Sequence, residues 1–145
     1  MVDIAGFREF VPAENGLGVM SVADARGRVH SSVANAGVLE VGGQTVVAWV
    51  AVGSAHKLKL LRANPRATVT LRTGWRWASV DGPVTLIGPD EPHPDFDAEG
   101  LRVLLRDIFT AAGGTHDDWD TYDRVMVEER RTAVLVTPER IFGSG

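Results

Sequence analysis

The segment Gln44-Thr-Val-Val-Ala-Trp-Val-Ala-Val52 places the firmest constraint on the fold. It follows a Gly42-Gly43 turn signal and is almost wholly apolar, so it reads as a strand buried on both faces and central in a sheet. A central strand needs neighbours, and the chain supplies runs of the right kind. Leu17–Ala23 follows the Asn15-Gly16 turn, and Arg28–Asn35 follows the turn Asp24-Ala-Arg-Gly27. Ala67–Arg72, Trp77–Ile87 and Arg131–Thr137 complete the set. The run from Arg28 is more polar, which leaves one of its faces for solvent, a ligand or a partner. Asp81-Gly82-Pro83 interrupts the run from Trp77, and the strand pattern continues on both sides, so a bulge is expected there.

Helical segments lie between and after these strands. Asp3 is placed to cap a short helix through Val11, with Pro12 ending it. Asp97 is placed to cap a helix that carries Leu101, Leu104, Leu105 and Ile108 on one face, stopped by Gly113-Gly114. Thr115-His-Asp-Asp118 has the form of a capping box before a helix presenting Trp119, Tyr122 and Met126. The expected product is one domain over residues 1–145: a mainly β, α+β protein with about six strands in a barrel-like core and helical decoration.

Directly after the central strand comes Ser54-Ala-His-Lys-Leu-Lys-Leu-Leu-Arg-Ala-Asn-Pro-Arg66. Ser54 reads as an N-cap and Asn64-Pro65 as the stop, because the residue before proline is pushed out of the α region. Leu58 and Leu61 face a core, while His56, Lys57, Lys59, Arg62 and Arg66 keep to the other sides. The whole chain carries a net charge of -4, so positive charge concentrated at one helix start suits a bound anion such as a phosphate or phosphodiester. A solvated basic face on a connecting helix is the plain alternative.

The acidic balance argues against general nucleic-acid binding, where a basic footprint is usual. The chain has no cysteine, so disulfides, thiolate metal sites and cysteine nucleophiles are excluded, in keeping with a reducing cytoplasm. No run approaches the roughly 18 apolar residues that suggest a membrane span, and the first residues do not read as a signal peptide. His116-Asp117-Asp118 fits the acidic first turn of a helix better than a metal site, since adjacent residues cannot all face one ion. Trp119, Tyr122 and Met126 read as packing, and Trp75-Arg-Trp77 as a strand with one tryptophan inward rather than a base-stacking platform.

Three stretches together resemble a known family. They are Gly18-Val-Met-Ser-Val through Gly27-Arg28, the run from Lys57 to Ala67, and His116–Tyr122 with Met126, Arg130-Arg131 and Ile141-Phe142-Gly143. On these residues the chain resembles the pyridoxamine-phosphate-oxidase-like superfamily of split-barrel flavin and deazaflavin proteins. More narrowly, it resembles the small actinobacterial enzymes that use the deazaflavin F420. The resemblance implies a six-stranded antiparallel split β-barrel, homodimeric, with cofactors at the subunit interface. It implies that Lys57 and Lys59 hold the cofactor phosphate, with backbone of Ala55 and His56 nearby. His30, Ser32 and Val33 match positions that approach the cofactor, Val50 and Ala51 lie alongside its ring, and Trp77 stands near the opening. Relatives often carry arginine where this chain has Lys59, and lysine loses the bidentate geometry.

The activity implied is hydride transfer between reduced F420 and a conjugated small molecule, the cofactor supplying the hydride chemistry. The alternatives are an FMN-binding relative of pyridoxamine-phosphate oxidase, or a non-catalytic binder of F420, FMN or haem. His30 is the candidate proton donor, though solvent or cofactor serves equally and a strand histidine is more often structural. Arg62, Arg66, Arg72 and Arg76 either form a basic trail for the long acidic tail of F420 or are ordinary exposed arginines.

Overall fold

A computed structural model describes residues 2–144, and among these the chain forms eight strands and four helices. In chain order they are α1 (Ile4–Arg8), β1 (Leu17–Ala23), β2 (Val29–Asn35), β3 (Gly37–Val41), β4 (Gln44–Ala51) and α2 (His56–Ala63). There follow β5 (Arg66–Thr73), β6 (Arg76–Ile87), α3 (Ala98–Ala111), α4 (Trp119–Glu128), β7 (Thr132–Val136) and β8 (Arg140–Gly143). The strands form one antiparallel sheet in the order β2-β1-β5-β6-β7-β4-β3, with β8 pairing to β6 off that path. Two strands more than the expected six are present, β3 and β8, and the sheet curls without closing.

The central placement of β4 holds: it pairs with β3 on one side and β7 on the other, and Val46 to Trp49 are buried. The Asp81-Gly82-Pro83 segment corrects the expected bulge. β6 runs unbroken, pairing β5 from Arg76 to Pro83 along one edge. Along its other edge it meets β8 over Ala78–Asp81 and then β7 over Val84–Ile87. Gly82 and Pro83 sit in the gap between those two partners, where a proline needs no ladder donor. The β7–β8 connection crosses there so closely that a Cβ on Gly82 would lie 1.8 Å from the Thr137 carbonyl oxygen. Arg66, Asp81, Glu139 and Arg140 close an ion cluster over this corner.

One apolar core fills the curl of the sheet. Met20, Val69, Val80, Val134 and Trp49 enter it from the strands, and Phe7, Leu58 and Leu61 from α1 and α2. A second core lies on the back of β4 and β7, where α3 packs Leu104, Leu105 and Ile108 on Ala48, Ala133 and Leu135. α3 begins on Asp97, whose carboxylate accepts from Gly100 N at 2.7 Å, and ends where Gly113 adopts φ +94°. Both ends are as the sequence indicates.

Three other boundaries differ. α1 stops at Arg8 and tightens into turns through Val11, in which Phe10 N donates to Phe7 O and Val11 N to Arg8 O. α2 is capped by Ala55 rather than Ser54 and has no side-chain cap bond. α4 is capped by Asp118 rather than Thr115, its carboxylate accepting from both the amide and the hydroxyl of Thr121.

Candidate functional site

The register of the sheet decides what surrounds the start of α2. Because β7 pairs with β4, Thr132 lies opposite Ala51, and Arg131 is carried to the point where β4 leaves for α2. The turn before it fixes that placement. Arg130 adopts the left-handed conformation at φ 49°, Arg130 N donates to Val127 O, and Arg131 N donates to Met126 O. This paired closure of α4 is a Schellman motif built without glycine. Gly53 makes room for it: its amide donates to Glu129 O, and a Cβ there would come within 2.5 Å of Arg130 O.

Two cavities meet at Ala55 and Lys57. The larger, of about 470 Å3, runs between β2, the end of β4, α3 and α4. Val33, Val50, Ala51 and Ala55 line one side, and Phe109, Tyr122 and Met126 the other, with Lys57 and Arg131 between. The smaller, of about 280 Å3, is lined by His30, Ser31, Ser32, His56 and Leu60 together with the two shared residues. One chamber is therefore apolar and aromatic, the other hydroxyl- and imidazole-lined.

Lys57 stands at the junction. Its ammonium is half-buried, donates to Ser32 Oγ at 3.2 Å and lies 5.8 Å from the centroid of the buried Trp49 ring. Burial and then the Arg131 guanidinium push its pKa below the ordinary lysine value. No carboxylate among the described residues pairs with it. A half-buried cation met only by a neutral hydroxyl and an aromatic face is an unmet demand for an anion.

His30 and His56 face each other with ring centroids 5.6 Å apart. His30 Nε2 lies 3.2 Å from Asp24 Oδ2, and Asp24 also accepts from the amides of Arg26 and Arg28. The His30 contact is the largest of the influences that hold the Asp24 carboxyl far below its usual range. The aromatic wall opposite is equally fixed. Tyr122 OH donates to Leu105 O at 3.1 Å, and burial pushes its phenol up to about 12. Phe109 packs against Tyr122 and Trp119, and the Arg106 guanidinium lies 4.9 Å from the centroid of Trp119.

The structure thus gathers His30, Ser32, Val33, Val50, Ala51, Ala55, His56 and Lys57 around the two cavities. Lys59 is exposed on α2 and lines neither. Trp77 lies on the outward face of the sheet beside Phe142 and lines neither cavity. The four arginines do not converge on a trail. Arg62 pairs with Glu91, Arg66 with Asp81 and Glu139, and Arg76 lies over the Phe10 ring. Arg131, Phe109, Tyr122 and Met126 were not foreseen as lining residues. Tyr122 and Met126, four apart on α4, carried the one usable signal.

No protein-family model matches the chain. Solved structures do share its architecture. A conserved hypothetical protein from Mycobacterium tuberculosis superposes with a TM-score of 0.70 at 18% identity, over 99% of this chain and 84% of that one. A pyridoxamine 5'-phosphate oxidase-related, FMN-binding protein from Nostoc punctiforme gives 0.61 at 13% identity, over 94% and 78%. The chain thus shares the split-barrel fold of pyridoxamine-phosphate-oxidase-like proteins. An F420 reductase is similar in the same way, with a TM-score of 0.60 at 15% identity over 94% of this chain and 96% of that one. No helix among the described residues of this split-barrel chain is long and apolar enough to cross a membrane.

Proposed function

We propose that the protein is an F420-dependent oxidoreductase acting on a conjugated small molecule. The observation that carries this reading is Lys57, a half-buried cation with no carboxylate partner where an aromatic-walled chamber meets a hydroxyl-lined one. Such a pair of chambers suits a planar ring joined to a phosphate. Lys57, Ser32 and the Ala55–His56 backbone would hold the phosphate, with Val33, Val50, Ala51, Phe109 and Tyr122 around the ring. A bound deazaflavin or flavin supplies the hydride chemistry. The chain's own task is to neutralise the phosphate, exclude water with the Phe109–Tyr122–Met126 wall, and hold His30 in place through Asp24. The similarity of fold to an F420 reductase supports the choice of cofactor.

FMN is the second reading, and a specific observation favours it. Arg62 and Arg66 are spent on carboxylates rather than lining a path for an acidic tail, which suits a compact monophosphate. Assay with reduced F420 and a panel of conjugated acceptors tests the activity. Acceptor-dependent loss of the reduced cofactor is expected; tight binding with no turnover across the panel would make the protein a carrier instead.

The protein is proposed to act as a homodimer. Leu17, Val19, Val29, Val33, Trp77 and Phe142 are exposed on one outward face of β2, β1, β6 and β8, with Val29 and Val33 at 68% and 63%. An apolar face of that extent favours a partner subunit. Val33 belongs both to this face and to the larger cavity, so a second copy would adjoin the cofactor.

A further inference from the structure

Behind the proposed cofactor cavity lies a second chamber that takes no part in holding the cofactor. It has a volume of about 370 Å3 and is built from the end of β6, the loop 88–97, α3 and α4. Ile87, Phe96, Leu101, Leu105, Met126 and Val127 give it a mostly apolar surface. Its size lies within the range of small-molecule sites.

The chamber is held open by ties at each corner. The loop contributes Pro89, Pro92 and Pro94 and carries isolated bridges between Gly88 and Glu91 and between His93 and Phe96. Asp90 binds Arg130 at the end of α4, and Glu91 binds Arg62 on α2. On the far side Asp123 of α4 binds both Arg102 and Arg106 of α3. A proline-stiffened loop stapled at two acids has little freedom to collapse into the space.

Those same ties decide what the space accepts. Every charged side chain that lines it is already matched. Arg102 is held by Asp123 and Glu99, Arg130 by Asp90, and Arg131 by Glu129. Asp97 caps α3 through Gly100 N. The walls offer a ligand apolar contact and no uncommitted charge. Placing an ion there would cost its hydration with no partner to replace it.

We propose that this chamber is a binding site for an uncharged, apolar small molecule. Met126 and Arg131 line both this chamber and the cofactor cavity, so the occupant lies directly across that shared wall from the cofactor. Its binding does not depend on the cofactor reading.

The test uses the neutral dye 1-N-phenylnaphthylamine, which brightens in apolar surroundings, on the cofactor-free full chain. The closely related anionic anilinonaphthalene sulfonate serves as its charged counterpart. Ala98 and Val127 are exposed rim residues, so Ala98→Trp and Val127→Trp fill the mouth from opposite sides without touching the core or the cofactor cavity. Saturable binding of the neutral dye at one per chain is expected, weakened at least tenfold by either substitution and unchanged in Lys57→Ala. Two substitutions keep the test readable if one variant does not fold. No saturable binding would overturn the proposal, as would equal binding by both filled variants, preference for the anionic dye, or loss in Lys57→Ala alone. A parallel titration with F420 and FMN separates failure of this site from failure of the cofactor assignment.

Discussion

At the scale of single residues, Lys57 sets function against stability. Its proton is held less tightly in the folded protein than in the unfolded chain, because burial and Arg131 lower its pKa. The charged side chain therefore opposes folding at neutral pH, and the penalty fades as pH rises through the folded pKa. Lys57→Met is expected to raise the stability of the cofactor-free protein slightly in chemical denaturation, by no more than about 0.5 kcal/mol because solvent screens this half-exposed charge. A less stable Lys57→Met would mean that the ammonium is already well satisfied. Asp24 has the opposite sign. Its folded pKa is depressed, first by His30, so its contribution is present above the unfolded value and is lost as pH falls through the folded one. Asp24→Asn should lower Tm measurably at neutral pH and shrink that difference in acid. An unchanged Tm at both pH values would show that the β1–β2 turn does not use the charge.

Among the elements, β6 has the most to show. Its change of neighbour at Gly82-Pro83 lets one strand serve both halves of the sheet, and Gly82 is needed because the Thr137 carbonyl occupies the space of a side chain. Gly82→Ala should cost about 2–4 kcal/mol by denaturant titration, through overpacking against backbone. A loss under 0.5 kcal/mol would mean that the corner yields freely. The sequence showed β4, β1, β2 and the Asp97-capped α3 because their apolar periods and turn residues are local. It hid β3, a short run of mixed pattern, and it suggested a bulge in β6 because a partner change and a bulge leave the same Gly-Pro mark. The lining from α2 was legible in the basic run itself, whereas that from β2 and β4 came only through the family resemblance. Arg131 and Phe109 were not, because only the pairing of β7 with β4 and the packing of α3 behind it bring them near Lys57.

For the whole molecule, the two faces of the curled sheet behave differently. Its inner face and its α3-covered back are packed, while the face of β2, β1, β6 and β8 presents Val29, Val19, Trp77 and Phe142 outward. If this face pairs two copies, the protein sediments at twice the chain mass, and Val19→Lys or Val29→Lys shifts it to the monomer at about 10 μM by placing charge in an apolar contact. A wild-type monomer at that concentration would remove the partner subunit from the site.

The most direct measurement is a side-by-side titration of the wild-type protein and Lys57→Ala with F420 and FMN, following tryptophan emission. F420 bound at micromolar or tighter affinity, weakened by about 1–3 kcal/mol on loss of Lys57, is the expected result. Tighter binding of FMN with the same loss would put the flavin in that cavity. Binding of neither cofactor, or binding indifferent to Lys57, would contradict the assignment of this junction as the phosphate site.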